Sequence, residues 1–300
     1  MKNICLESGR AGTEAGFTRN HEVQMGPLMT IAKTPLLGRS LLVIYRARTA
    51  WRYFREPLAN LFRLLFVSRE ISNFTYDLDE TNERYLASMI ADITNKSYDL
   101  VMSYIRELKE DDELRRHIHQ LTRASGSAFI ADREARYGRR IGWYALARIL
   151  KPGVIIETGV DKGLGACLLA VALRRNAREG HPGRYLGTDI DPGAGYLMSG
   201  DYANYGSILY GDSITSLKNF TGTIDLFIND SDHSPDYEAE EYRVIADKLS
   251  RQAVILGDNA HCTDKLLEFS LKRGRHFVFF QEKPAKHWYP GAGIGFSFTR

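Results

Sequence analysis

The chain has 300 residues, a formal net charge of +3, an apolar share of 44% and a charged share of 26%. That balance excludes a chain disordered throughout, a collagen-like repeat and a disulfide-built miniprotein, and 40 basic against 37 acidic residues give no sign of a nucleic-acid partner. The length suits one catalytic-size domain with a smaller attachment, and three cysteines without a CxxC pair or zinc spacing point to a reducing compartment.

Residues 1–27 are rich in Gly, Thr, Glu and Asn without an apolar period, which predicts a mobile arm. Ile4, Cys5 and Leu6 give way at once to Glu7, Ser8, Gly9 and Arg10, unlike an export signal. No segment approaches the roughly 18 apolar residues of a membrane span, so a soluble, cytoplasmic protein is expected. Residues 28–125 read as a helical region, a substrate cap or an oligomerisation element. Within it, from Leu36 to Glu70, apolar groups such as Leu41–Tyr45, Trp51, Tyr53, Phe54 and Leu61–Phe66 alternate with seven arginines against Glu56 and Glu70. Pro57 predicts the start of a second helix there. These apolar residues are expected to pack on the catalytic domain, or on a second copy in a homo-oligomer, with the arginines reaching outward. The alternative is a peripheral membrane contact through 36–70, an interfacial helix on anionic lipid. Asp79 to Gln120 reads as two helices, carrying Leu86, Met89, Ile90 and Ile93, then Val101, Tyr104, Ile105 and Leu108. Ser125-Gly126-Ser127 is the linker candidate that opens a domain over 126–300.

From there the rhythm changes. A helix over Ala135–Leu150 stops at Lys151-Pro152-Gly153. Short apolar runs at Val154–Ile156, Tyr185–Thr188, Ser207–Tyr210, Ile224–Ile228 and Ala253–Leu256 then alternate with helices near Leu164–Arg178 and Asp236–Leu249. Buried strands alternating with helices predict an α/β fold with a parallel sheet covered on both faces. His276–Gln281 and Gly293–Thr299 have no helix between them and predict a closing antiparallel hairpin.

Open parallel sheets bind ligands at the carboxyl ends of their strands. The first of these ends reads Glu157-Thr158-Gly159-Val160-Asp161-Lys162-Gly163-Leu164-Gly165, whose glycine spacing misses GxGxxG. A dinucleotide pyrophosphate wants helix-end amides without nearby anions. Glu157 and Asp161 suit instead a ligand with an ammonium and a sulfonium, and S-adenosylmethionine (SAM) has both. Gly159, Val160 and Gly163 would let its chain approach the backbone. Asp189 lies 32 residues beyond Glu157 at the next strand end, placed to accept ribose hydroxyls. Asp212, after the third strand, either meets an adenine amino group or caps the helix that follows.

These residues resemble the class I SAM-dependent methyltransferases from about Glu134 to Arg300. That resemblance implies a Rossmann-like sheet with a terminal antiparallel hairpin. Asn229-Asp230-Ser231-Asp232-His233-Ser234 is similar to the D-G-D-H-S segment of metal-dependent O-methyltransferases, the caffeoyl-coenzyme A, catechol, macrolide-sugar and antibiotic-tailoring types. Gly257-Asp258-Asn259 is similar to the D-N or D-D pair after their next strand. The resemblance implies that Asp230, Asp258 and Asn259 hold a divalent metal such as Mg²⁺. Ends of adjacent strands about 4.8 Å apart can converge on one ion, and carboxylates with an amide are the hard donors it prefers. The other reading is that each acid caps a helix. Two departures from the family pattern stand out. Asn229 replaces a branched apolar residue, and Leu249–Gln252 replaces a glycine turn.

The function implied is transfer of the SAM methyl to a hydroxyl of a sugar, glycan or natural product, with His233 as the base and Asp232 orienting it or serving as the base itself. A nucleotide-dependent oxidoreductase and a catalytically inactive binding protein of the same fold are the alternatives. His261 and His287-Trp288-Tyr289 rank lower, as pocket residues or plain loop positions. The sequons at Asn73, Asn95 and Asn219 read as chance.

Overall fold

The computed structural model describes residues 38–71, 75–131, 134–258 and 260–300, so the arm expected over residues 1–27 lies outside the described residues. The chain divides into two units, residues 1–56 and 57–300. Helix α1 spans Gly38–Phe66 and contains Pro57, where two helices were expected. Without an N–H, Pro57 leaves the carbonyl of Tyr53 short of one helical hydrogen bond.

Three helices follow where two were expected: α2 (Glu80–Thr94), α3 (Tyr98–Lys109) and α4 (Asp112–Ala124). Capping side chains make the breaks. Asn82 N–H donates to Asp79 Oδ1 at 2.8 Å, Leu100 N–H to Ser97 Oγ at 3.3 Å, and Leu114 N–H to Asp111 Oδ1 at 2.9 Å. Helix α5 spans Arg140–Leu150, five residues later than the sequence suggested. Its approach is set by Gly138, at φ +51°, whose N–H donates to Tyr76 O at 2.7 Å.

Strands β1 (Val154–Thr158), β2 (Arg184–Asp189), β3 (Gly206–Tyr210), β4 (Ile224–Asn229) and β5 (Leu249–Gly257) pair in parallel. Helix α6 (Leu164–Arg178) joins β1 to β2, α7 (Ser213–Asn219) joins β3 to β4, and α8 (Pro235–Ile245) joins β4 to β5. After α9 (Lys265–Lys272), the hairpin strands β6 (His276–Gln281) and β7 (Gly293–Phe298) complete a seven-stranded sheet of order β3-β2-β1-β4-β5-β7-β6. Both pairings of β7 are antiparallel.

Alternate strand residues serve two cores. Ile155, Leu226 and Leu256 pack with Trp143, Leu168, Leu86 and Ile105 on the face covered by α2, α3, α5 and α6. Ile156, Phe227 and Ile255 pack with Leu217, Tyr242 and Leu266 on the face of α7, α8 and α9. Helix α8 ends at Ile245 rather than Leu249, because Leu249 already pairs with Ile224 in the sheet. Lys248 Nζ meanwhile donates to the carbonyls of Leu217, Lys218 and Phe220 at the end of α7.

Candidate active site

A cleft of about 890 Å³ opens along the carboxyl ends of β1 to β4, within the size range of small-molecule sites. Six of the residues singled out in the sequence line it: Gly159, Asp161, Asp189, Asp212, Asp230 and Asp232. Ser125, Gly126 and Ser127 line it as well, so the expected linker is a wall of the site.

The glycine turn is built by close backbone approach. Gly159 has φ +80°, and a Cβ there would fall 2.0 Å from the carbonyl oxygen of Asp230. The turn is held from below by Asp189. Its Oδ2 accepts the N–H groups of Val160 and Asp161, each at 2.9 Å, and its Oδ1 accepts that of Asp191 at 2.9 Å. Asp189 therefore shapes the loop as well as facing the cleft. Gly163 stands at the N-terminus of α6.

Glu157 lies beneath the turn and is 1% exposed. Tyr185 OH donates to its Oε2 at 2.6 Å, and burial pushes its pKa up to about 7. Asp212 caps α7: Oδ2 accepts from Thr215 N–H and Oγ1, and Oδ1 accepts from Tyr237 OH at 2.8 Å.

One strand over, carboxylates converge. Ligand atoms of Asp230, His233 and Asp258 all lie within 4.8 Å of one another. His233 Nε2 is 3.9 Å from Asp230 Oδ1. Asp232 is exposed, and its Oδ1 accepts the N–H of Ser234 at 2.8 Å. Asn259 lies outside the described residues. Burial, then the charge of Asp258, pushes the Asp230 carboxyl well above the ordinary range. Burial works against the charge of Asp258 too, but the Arg139 guanidinium, a hydrogen bond with Asp230 and the Arg140 guanidinium together hold that carboxyl low.

Arg139 and Arg140 were not anticipated. Arg139 is 4% exposed; it donates to Asp258 Oδ2 and, at 2.7 Å, to Tyr76 OH, which donates onward to Glu282. Arg140 lies 3.9 Å from Asp230 Oδ2. Nothing in the spacing of an Arg-Arg pair at a helix start shows that it meets acids about a hundred residues away. Of the lower-ranked residues, His287 is buried with Nε2 3.7 Å from Glu70 Oε2, Tyr289 packs its ring on Tyr76, and His261 is exposed beside Cys262.

Asn229 now has a partner. It is buried and donates to Glu241 of α8, which also accepts from Thr158 Oγ1 at 3.1 Å, Ser231 Oγ at 2.9 Å and Ser213 Oγ. The ends of β1 and β4 and the start of α7 are thus tied to one carboxyl whose pKa burial raises to about 7.

Residues 156–260 match the family model described as a methyltransferase domain. The match runs from β1 through the loop after β5, the residues that carry the resemblance read from the glycine turn and the two acidic strand ends. None of the curated proteins compared matches the chain. Among solved structures, the chain is similar to an SAH-bound methyltransferase from Podospora anserina, at 18% identity over 67% of this chain and 94% of that one, TM-score 0.46. It is also similar to the O-methyltransferase TomG from Streptomyces achromogenes, at 18% over 63% and 91%, TM-score 0.47. A third is an O-methyltransferase from Bacillus cereus, at 13% over 62% and 91%, TM-score 0.45.

Proposed function

We propose that the chain is an SAM-dependent O-methyltransferase that acts, with the help of a divalent cation, on a hydroxyl of a sugar, glycan or natural product. The observation that carries this reading is the cleft at the ends of β1 to β4, inside a methyltransferase-domain match, with an acid pair and a histidine at its edge. SAM fits the cleft in size and charge. Asp161 faces it, and the glycine turn held by Asp189 offers close backbone approach.

The residues fit a divalent cation. Asp258 Oδ1 is buried without a hydrogen-bond partner among the described residues, and a carboxylate oxygen of Asp230 lies within 4.8 Å of one of Asp258. By the resemblance, Asp230, Asp258 and Asn259 would hold Mg²⁺ or a similar ion, which when bound supplies positive charge that makes an acceptor hydroxyl more acidic.

The chain's own groups do the rest. The glycine turn and the 125–127 wall fix the methyl donor, so that much of the rate comes from alignment. His233 takes the hydroxyl proton at Nε2. The acceptor oxygen then forms its bond to the methyl carbon as the carbon–sulfur bond breaks, and S-adenosylhomocysteine leaves. Arg139 keeps Asp258 ionised and oriented.

Titrating the full chain with SAM tests the reading. Saturable SAM binding followed by methyl transfer to a hydroxyl-bearing acceptor supports it. Binding of NAD in place of SAM would give the oxidoreductase, and binding of neither the non-enzymatic protein.

A further inference from the structure

Helix α1 is 29 residues long, and most of its described large apolar side chains are exposed, including Ile44 at 67%, Trp51 at 63%, Phe54 at 60% and Leu65 at 61%. Ile44, Ala47, Trp51, Phe54, Leu58, Leu61 and Leu65 recur at alternating steps of three and four, which lines them along one side of a helix. Val43 and Phe62 widen that side. Among the described residues, no helix is long and apolar enough to cross a membrane.

The charges choose the occupant. Gly38–Phe66 holds six arginines and one acid, Glu56. In a parallel pair of such helices, Arg48 and Arg55 would border the stripe, and the positions facing them are Val43 and Ala50. No acid answers them, and two strongly basic helices would repel. Arginines bordering a face of Trp, Phe and Leu are instead what an anionic bilayer surface takes up, with stems along the acyl boundary and guanidinium groups on phosphates.

We propose that α1 lies in the surface of an anionic phospholipid bilayer, its Ile44–Leu65 stripe in the acyl boundary and its arginines at the headgroups. The full chain should co-sediment with vesicles of phosphatidylcholine and phosphatidylglycerol at low salt, should be released at high salt, and should leave pure phosphatidylcholine vesicles unbound. Trp51→Glu should lower the partition coefficient at least tenfold, and replacing Arg48 and Arg52 by Gln about fivefold each, the usual effect of one cation at such a surface. Thermal melts of the variants check that they fold. No sedimentation of the folded chain with anionic vesicles, or equal binding to neutral ones, overturns the proposal. So does association in analytical ultracentrifugation that Leu58→Glu abolishes while vesicles stay unbound, which would give the stripe to a second copy.

Discussion

Asn229 at the end of β4 and Glu241 of α8 are both fully buried and hydrogen-bonded to one another beneath the cleft. A branched apolar residue would leave Glu241 with one donor fewer in a place water cannot reach. Asn229→Leu should therefore destabilise the fold by about 1–3 kcal/mol, the usual penalty for a buried polar group that loses its partner. Denaturant unfolding measures it. In a double-mutant cycle with Glu241→Ala the two losses should fall short of additive, and strict additivity would show that the bond carries no coupling.

Stability should fall as pH rises through the acid range. Glu157 and Glu241 are pushed by burial from 4.5 to about 7. Between those values the folded chain keeps protons that the unfolded chain has released, so each added unit of pH favours unfolding. The contribution is complete below about 4.5 and lost by about 7, on the order of 3 kcal/mol for each group. Glu157→Gln keeps an acceptor for Tyr185 OH and cannot titrate. Urea midpoints measured from pH 4.5 to about 7.5 should fall less steeply in this variant. Identical slopes in the two proteins would remove Glu157 from the account.

Mn²⁺, used as a probe without SAM or acceptor, should bind the full chain and be displaced by Mg²⁺. Asp258→Ala should abolish that binding while SAM affinity stays within about threefold. Excess chelator should also stop methyl transfer. Unchanged Mn²⁺ binding in Asp258→Ala, or full turnover in chelator, would place the acid pair outside a metal site.

His233→Ala should lower kcat by about 10²–10⁴-fold, the worth of a positioned base, and leave SAM affinity nearly unchanged. Asp232→Asn should cost far less, because Asp232 is exposed and holds the Ser234 N–H. If Asp232→Asn loses the activity and His233→Ala keeps it, the base is Asp232.

Arg139→Ala would leave Asp258 and Glu282 buried without their shared cation. Breaking a buried ion pair from one side costs about 3–5 kcal/mol, and the melting temperature should drop accordingly. Arg139→Lys should recover part of the loss. A melt like the wild type's would show that the network is not structural.

The strands were legible because a sheet covered on both faces needs short unbroken apolar runs, such as Val154–Ile156 and Ile224–Ile228, and the glycine turn and acid pair were legible because they follow those runs directly. Helix boundaries were harder. Ser97 and Asp111 look like ordinary polar residues until their side chains are seen to cap. Arg139, Arg140 and Glu241 were invisible as site residues, since each enters from an element whose own pattern reports only a helix. Asn229 looked anomalous for the same reason, its partner being twelve residues away on another element.

The contact of Gly159 with the carbonyl of Asp230 leaves no room for a side chain between the glycine turn and the strand end that carries the acid pair. The gap between the two halves of the cleft is therefore set by main chain alone and is closed to adjustment by substitution. Any drift in which ligand the cleft takes has to be written elsewhere along its wall, in side chains such as Ile190 and Tyr196.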